Sequence, residues 1–381
     1  GGGTERNRPG GLCGALRGDN VLYYRCKKLQ FVYVRELLFQ IRHVLLRTEG
    51  SADGLEEGHG ALHAAVLPDL LLQPAIDGGE LAGADGGLHI QILLHLQQMF
   101  DASRRMAGYW EPEKDPYETM LSTFERGLTV AQCDAFFASL REKLVPLIRQ
   151  VTAHADRVDD APLHRDYPVA IQRQFSDFIM DVMDIDRDHC IIGETEHPFT
   201  INFSRDDVRI TTHYFADQVA SSLYSVVHEG GHALYELHTG RELARTCLGN
   251  GVSMGIHESQ SRFYENIIGR SRAFCSVLLP WLKEHFPAQL EDVTEEQFYR
   301  MVNRSRPSLI RTEADELTYC LHIMVRYELE KQMFAGTITA HDLPAAWNRL
   351  YKEYLGVDVP SDREGVLQDL SLIHISEPTR P

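Results

Sequence analysis

Two histidines and a glutamate stand at a spacing that suits metal chemistry. His228, Glu229 and His232 lie in the segment His-Glu-Gly-Gly-His. On a helix, residues four positions apart share a face, so both imidazoles can reach one ion, and zinc suits such a pair. The carboxylate of Glu229 could take a proton from metal-bound water and pass it to a leaving amine. The segment therefore predicts a zinc site with Glu229 as general base, against the alternative of two histidines on a polar helix face.

The residues around this segment favour the metal site. The apolar run from Val219 to Val227 predicts a buried helix. Gly230 and Gly231 each cost about 1 kcal/mol relative to alanine inside a helix, so something must require them. We expect substrate or a second helix to approach the backbone closely there, because glycine has no side chain in the way.

A third ligand must come from further along the chain, since a catalytic zinc takes three protein ligands and leaves one position open. Glu258 is the candidate, because it lies near the start of another amphipathic segment and could bring a carboxylate opposite the histidine pair. His257 and Glu265 are the alternatives.

His238 falls where the third histidine of the metzincin pattern HExxHxxGxxH would stand. Tyr235, however, replaces the glycine that turns the chain back towards the metal in that pattern. The helix is therefore expected to continue and to direct His238 away from the ion. A role near the substrate or behind the ligands suits His238 better.

The elements that must position these residues are mostly helical. Apolar residues recur at helical spacing from about Gln97 onward, and Thr129 is expected to cap a helix that runs to Ala153 with a kink at Pro146. Similar spacing predicts helices within 217–238, 254–286, 295–304, 313–335 and 340–355. The one strand region, 200–203 and 208–211, predicts a β-hairpin. The expected fold class is a mostly α protein with a small β-hairpin near the metal site, which argues against a parallel-sheet fold.

Composition excludes several classes of function. The 381 residues carry a net charge of -17 without a basic cluster, which argues against a nucleic-acid partner. We find neither an apolar run long enough to span a membrane nor a secretory signal, so we expect no membrane partner and a cytoplasmic location. Seven cysteines without a CxxC pair fit free thiols in a reducing compartment better than a catalytic cysteine.

Both ends of the sequence differ from its middle. Residues 1–97 mix Gly-rich stretches with leucine and histidine runs of no steady period, so we leave them unassigned and suspect a non-native reading frame. Residues 370–381 resemble the translation of a common sequencing adapter, and we expect them to be a tail of that origin.

Five short motifs, in order, resemble those of the carboxypeptidase Taq family of metallocarboxypeptidases, across roughly residues 98–369. They are His197-Pro198-Phe199 as HPF, Asp207 to Thr211 as DxRxT, His228 to His232 as HExxH, His257 to Gln260 as HES-Q, and Ile310 to Asp315 as IRxxAD. The family's last motif, GxxQDxHW, is matched only from Gly365 to Asp369. We therefore expect a metallocarboxypeptidase domain that is incomplete at both ends and impaired in folding, dimerisation or turnover.

The resemblance implies the chemistry of the site. It makes His228, His232 and Glu258 the ligands of one zinc ion per chain, or of cobalt or another divalent ion, and Glu229 the base. It also implies a long helical molecule with a deep cleft, similar to neurolysin and angiotensin-converting enzyme, that forms homodimers and acts on peptides.

The resemblance further implies release of single residues from peptide C-termini with broad specificity, which needs a cation to bind the terminal carboxylate. Arg311 is the first candidate and Arg209 the second, because guanidinium binds carboxylate through a planar fork. The alternative for both is a structural ion pair, with Asp315 as the expected partner of Arg311. Residues that could line the cleft or stabilise the oxyanion are His197, Thr211 and Tyr319.

Three other functions stay open at this stage. An oligopeptidase would cut internally and lack the carboxylate-binding cation. A metal- or peptide-binding fragment would bind without turnover. A cysteine hydrolase would resist chelators and lose activity on thiol alkylation.

Overall fold

The computed structural model describes residues 84–369 and, from residue 93 onward, their side chains. The helices are α1 (Ala84–Trp110), α2 (Pro116–Leu121), α3 (Val130–Thr152), α4 (Val169–Val182), α5 (Val219–Leu237), α6 (Met254–Arg262), α7 (Arg272–His285), α8 (Pro287–Leu290), α9 (Glu295–Val302), α10 (Glu316–Ala335) and α11 (Leu343–Tyr354). The strands are β1 (Cys190–Glu194), β2 (Thr200–Ser204) and β3 (Asp207–Thr212). The predictions for residues 1–83 and 370–381 lie outside the described residues.

Helix α3 begins where its sequence predicts. The side chain of Thr129 accepts a hydrogen bond from the backbone N–H of Gln132, and the side chain of Gln132 accepts one from the backbone of Thr129. This reciprocal cap satisfies two N–H groups that the first turn leaves without partners. Helix α6, which carries Glu258, begins in a similar way, because the Ser253 side chain accepts from the N–H of Ile256.

Strands β2 and β3 form the predicted antiparallel hairpin, with Thr200 opposite Ile210. The strand order is β1-β3-β2, and β1 pairs with β3 in parallel from Cys190 opposite Val208. The prediction of a single strand region was wrong, because β1 was missed. Its five residues bury only Cys190, so the sequence lacks the alternation that marks a strand.

Helix α5 occupies the centre of the main core. Val226, Val227 and Ala233 on this helix are almost fully buried, in one cluster with side chains of α4, α7 and β3. Complete burial of a large aliphatic side chain stabilises the fold by about 1.5–3 kcal/mol relative to an exposed one. The helix is therefore held on several sides, and its polar residues have fixed positions.

The two glycines of α5 lie where neighbouring elements come close. A Cβ on Gly231 would stand 2.8 Å from Cα of Ser261 and 3.2 Å from the carbonyl oxygen of Gln260, both in the backbone of α6. A Cβ on Gly230 would meet the side chains of Met183 and Ile185. The expected approach of a second helix is thus present at Gly231, and it brings α6 against the metal-ligand candidates.

Some helix boundaries differ from those predicted. The region 254–286 is divided into α6, a π-helical segment (Phe263–Ile268) and α7. Helix α10 begins at Glu316, since the side chain of Asp315 accepts from the N–H groups of Leu317 and Thr318 and caps it.

No helix among the described residues is both long and apolar enough to cross a membrane.

Candidate metal centre

The metal-ligand candidates come from two helices that pack together. His228 and His232 lie about one turn apart on α5, and Glu258 lies on α6. One ligand atom from each of the three lies within 4.8 Å of the others. Oε2 of Glu258 is 3.6 Å from Nε2 of His228 and 3.2 Å from Nε2 of His232. The structure therefore brings the predicted trio together, and it is the one such group found among the described residues.

These separations fit a single cation. Nitrogen and oxygen ligands about 2.0–2.2 Å from a tetrahedral zinc stand about 3.3–3.6 Å from one another, close to the distances found here. Nε2 of His228 is buried and has no hydrogen-bond partner among the described residues. Such an atom is costly unless a proton or a cation meets it. Two imidazoles and one carboxylate also match a known donor set for catalytic zinc.

The two alternative ligands lie behind the histidines. Oε2 of Glu265 is 2.7 Å from Nδ1 of His228, and Nδ1 of His257 is 2.6 Å from Nδ1 of His232. Histidine ligands commonly donate their second nitrogen to such a group, which orients the ring. Glu265 and His257 are therefore placed to support the ligands, with both Nε2 atoms left towards Glu258.

The charges around His228 favour a cation. Burial lowers the pKa of His228, but Glu258 and Glu265 outweigh it and raise that pKa to about 10. Burial raises the pKa of Glu265, whereas His228, Arg262 and Arg270 lower it to about 2. The carboxylates that hold a proton on this imidazole would attract a divalent cation in the same way.

Glu229 is buried, and its carboxylate is positioned by the sheet. The hydroxyl of Thr200, on β2, donates to Oε2 of Glu229 at 2.6 Å. Sequence reasoning placed Thr200 in a strand without giving it a role. A hydroxyl opposite a base has no signature in sequence spacing, because the two residues come from different elements.

The first candidate for carboxylate binding, Arg311, is 5% exposed. Its Nε donates to Oδ1 of the buried Asp369 at 2.8 Å. The prediction that Asp315 is its partner was wrong: Asp315 caps α10 and accepts from the hydroxyl of Ser305 at 2.7 Å. Both oxygens of Asp315 already accept hydrogen bonds from these groups and from the backbone N–H of Arg306, and the partner of Arg311 is Asp369 instead.

A line of contacts joins Arg311 to the metal centre. The guanidinium of Arg262 stacks over the ring of Tyr319 at 3.5 Å, and Nη1 of Arg311 lies 3.4 Å from the Tyr319 hydroxyl. Nε of Arg262 is 3.5 Å from Oε1 of Glu258, and its Nη1 donates to Glu265 at 2.9 Å. Sequence reasoning missed Arg262, although its spacing of four residues from Glu258 places both on one helix face.

The sequence model of the family described as carboxypeptidase Taq (M32) metallopeptidase matches residues 90–376. The chain belongs to this family. Carboxypeptidase 1 of Bacillus subtilis is 41% identical over 276 residues, 72% of this chain and 55% of that protein. Thermostable carboxypeptidase 1 of Thermus thermophilus is 41% identical over 259 residues, 68% of this chain and 51% of that protein. The chain thus spans about half the length of these curated relatives.

Solved M32 structures share the fold. The M32 carboxypeptidase of Deinococcus radiodurans R1 matches with a TM-score of 0.70 at 40% identity, covering 74% of this chain and 56% of that one. The Pyrococcus furiosus carboxypeptidase matches with a TM-score of 0.71 at 36% identity, covering 77% and 59%. These matches confirm the mostly helical fold class. Membership of a metallopeptidase family implies a divalent metal, which the donor set fits.

Three other predicted residues of this M32 chain lie around the sheet. His197 is partly buried, and burial lowers its pKa; the negative charge of Glu196 opposes this shift, and the positive charge of Arg311 adds to it. The hydroxyl of Thr211 accepts from the N–H of Phe199 at 2.9 Å, which ties the HPF segment to β3. Arg209 lies on the exposed face of β3, where it holds Asp207 through bonds of 2.9 and 3.1 Å. The structure therefore gives Arg209 a local ion pair, and its role in substrate binding stays a prediction.

His238 is the C-cap residue that follows the last residue of α5. It is exposed, and its Nδ1 donates to the carbonyl oxygen of Leu234 at 2.8 Å. The helix continues past Tyr235, as predicted from the missing glycine. His238 is not part of the ligand trio.

Proposed function

We propose that this chain is a zinc-dependent metallocarboxypeptidase that releases single amino acids from peptide C-termini with broad specificity. The observation that carries the proposal is the trio of His228, His232 and Glu258, with the carboxylate of Glu229 held by Thr200 beside it. Both histidines have their Nδ1 atoms engaged from behind, and both Nε2 atoms face Glu258, where the ion would bind. This is the arrangement that a hydrolytic zinc site requires.

The ion would supply Lewis acidity, polarising the scissile carbonyl and favouring ionisation of water. Glu229 would take the proton of the attacking water and carry it to the leaving amine. Thr200 fixes one oxygen of that carboxylate, Oε2, at 2.6 Å, which restricts the rotamer of Glu229 before substrate arrives. A base held in this way loses little conformational entropy during the reaction.

Arg311 is the proposed anchor for the terminal carboxylate, assisted by Tyr319 and His197. The terminal carboxylate is common to all unblocked peptides, so recognition through it gives broad specificity for the released residue. The buried pair with Asp369 is also what a structural role would produce, so the two roles need separate tests.

The proposal also covers the shape of the substrate site, the oligomeric state and the cellular location of the protein. We propose a deep cleft of the neurolysin and angiotensin-converting-enzyme type, a homodimer, and a cytoplasmic location. Free thiols at Cys133, Cys190, Cys247, Cys275 and Cys320 support a reducing compartment. Light scattering after size-exclusion chromatography tests the dimer.

The central experiment measures release of free C-terminal amino acid from an unblocked peptide and from the same peptide with a C-terminal amide. Wild type, Glu229→Gln and the exposed control Glu142→Gln are compared with and without a chelator. We expect release from the unblocked peptide only, sensitivity to the chelator, and loss of activity in Glu229→Gln alone.

Other outcomes select the alternatives. Efficient cleavage of the amidated peptide would contradict the carboxypeptidase and favour an oligopeptidase. Stoichiometric zinc binding without hydrolysis would favour a metal- or peptide-binding fragment.

The role of Arg311 is tested by Arg311→Met beside Asp369→Asn. A substrate anchor predicts a raised KM in Arg311→Met with a smaller change in Asp369→Asn. A purely structural pair predicts an equal loss of thermal stability in both variants and no specific change in KM.

A further inference from the structure

A chain of buried polar side chains lies behind His232 and joins three elements. Nδ1 of His232 is 2.6 Å from Nδ1 of His257, and Nε2 of His257 is 2.7 Å from Oε1 of Glu236. The amide of Asn202, on β2, donates to Oε2 of Glu236 at 2.6 Å. Glu236 is 1% exposed and His257 is 5% exposed. The network therefore links the hairpin, α5 and α6 to one metal-ligand candidate.

The positions of the protons follow from the carboxylate end. Oε2 of Glu236 accepts from the amide of Asn202, and Oε1 of the same carboxyl group is the acceptor that faces Nε2 of His257. His257 then carries its proton on Nε2, and its Nδ1 is left as an acceptor. His232 meets this acceptor with a proton on its own Nδ1. The lone pair of His232 consequently lies on Nε2, 3.2 Å from Oε2 of Glu258, and a cation bound between these two acceptors would offset their repulsion.

The alternative, in which His257 carries its proton on Nδ1 and His232 carries its proton on Nε2, is disfavoured. It would place an unprotonated Nε2 of His257 against the carboxylate of Glu236 at 2.7 Å. It would also place the proton of His232 on Nε2, where it blocks a cation. Two facing acceptors that are buried without a proton between them cost about 1–3 kcal/mol or more.

The ring of His257 is held in place by its surroundings. Tyr235 stacks on it with ring centroids 4.5 Å apart and an angle of 30°. On the loop before α6, a Cβ at Gly251 would stand 2.8 Å from Cδ2 of His257, so the backbone lies directly against the ring. The Tyr235 hydroxyl in turn accepts from the N–H of Val252 at 3.3 Å. The imidazole therefore cannot rotate freely to offer its other nitrogen to His232.

We infer that Glu236 and His257 are positioning residues that act through His232: they select its Nδ1-protonated tautomer and so raise the affinity of the trio for a divalent cation. The inference rests on the proposed metal site. A network that served folding alone would affect thermal stability and leave the proton of His232 and the zinc affinity unchanged.

The test compares His257→Phe with His257→Asn in the full chain. Phenylalanine keeps an aromatic ring beside Tyr235 but removes the acceptor, whereas the Oδ1 of asparagine can occupy the position of Nδ1 and accept from His232. Zinc affinity is measured by competition with a chromophoric chelator. The tautomer of His232 is read from ¹⁵N chemical shifts of histidine-labelled protein before zinc is added.

We expect His257→Phe to weaken zinc binding about 10- to 100-fold, as loss of a group behind a metal ligand commonly does. We expect His257→Asn to recover most of the loss and to retain the Nδ1–H tautomer of His232. The exposed His341→Asn serves as the control.

If circular dichroism shows that His257→Phe is unfolded, Glu236→Gln replaces it, since it keeps the shape and removes the charge. An approximately 10-fold weaker zinc affinity is then expected. Unchanged affinity and tautomer in the folded variants would overturn the inference while leaving the metal site intact. A wild-type chain that binds no zinc would instead refute the proposed function.

Discussion

Oε2 of Glu265 lies 2.7 Å from Nδ1 of His228, across the ring from the nitrogen that faces the other ligand candidates. Nη1 of Arg262 donates to the same carboxylate oxygen at 2.9 Å. The carboxylate thus has a cationic partner of its own, which keeps it ionised beside the imidazole. An ionised acceptor at Nδ1 makes Nε2 a stronger ligand.

Replacing this carboxylate by an amide is the first prediction. Glu265→Gln keeps the size of the side chain and removes the charge that His228 and Arg262 face. We expect zinc affinity to fall about 10- to 100-fold and the free energy of unfolding to fall by about 2 kcal/mol. Chelator competition and urea unfolding measure the two quantities, with the exposed Glu142→Gln as control. Wild-type zinc affinity in Glu265→Gln would contradict this role.

Thr200→Val separates catalysis from metal binding. Valine preserves the shape of the side chain but removes the hydroxyl that donates to Glu229 at 2.6 Å. A hydrogen bond to a charged group contributes about 1.5–3 kcal/mol, so we expect kcat to fall about 10- to 100-fold with zinc affinity unchanged.

A matched control for this variant exists on β3. The hydroxyl of Thr212 is buried and has no hydrogen-bond partner among the described residues. Thr212→Val should therefore leave kcat unchanged and keep or increase stability. Equal kcat values in the two variants would show that Thr200 does not position the base.

Spacing within one element predicted much of the site. His228 and His232 lie on one turn of α5, and the hairpin follows from alternating apolar residues. The metal-ligand trio was anticipated as well, although Glu258 was chosen from the character of its segment and from family resemblance. The histidine pair and the hairpin were predictable because helix and strand periodicity fixes local geometry before tertiary packing contributes.

Contacts between distant segments could not be predicted in this way. Arg311 and Asp369 are 58 residues apart in sequence, and nothing local pairs them. Asp315 is nearer than Asp369 to Arg311 in sequence, but its side chain accepts hydrogen bonds from the backbone N–H groups at the start of α10. The contact between His257 and His232 likewise depends on how α6 packs on α5.

Gly231→Ala tests that packing directly. The new Cβ would stand 2.8 Å from a backbone atom of Ser261, which cannot move without displacing α6 and with it Glu258. Overpacking of this kind costs about 1–3 kcal/mol. We expect loss of stability, measured by urea unfolding, together with weaker zinc binding.

Gly230→Ala is the control for Gly231→Ala. Its Cβ would meet the end of the flexible Met183 side chain and Cδ1 of Ile185, which can shift more easily than backbone. Alanine also favours the helix by about 1 kcal/mol over glycine. We expect Gly230→Ala to lose less stability than Gly231→Ala. The reverse order would contradict the assigned role of Gly231.

His322 predicts a specific dependence of stability on pH. Its ring is 1% exposed, Nδ1 lies 2.9 Å from the Tyr351 hydroxyl, and Nε2 is buried without a hydrogen-bond partner among the described residues. Burial lowers the pKa of His322 to about 4. The negative charges of Asp369 and Asp315 oppose this shift and the positive charge of Arg311 adds to it.

The direction of this pH dependence follows from the number of protons that His322 binds in the folded and in the unfolded chain. Between about pH 6.5 and pH 4 the unfolded chain protonates His322 whereas the folded chain does not, so lowering the pH destabilises the folded state. The loss amounts to roughly 3 kcal/mol across this range. Urea unfolding of wild type and His322→Asn at several pH values should give a steeper decline in wild type, with the exposed His341→Asn behaving like wild type. Parallel curves for wild type and His322→Asn would show that protonation of His322 does not limit the stability of the folded chain in acid.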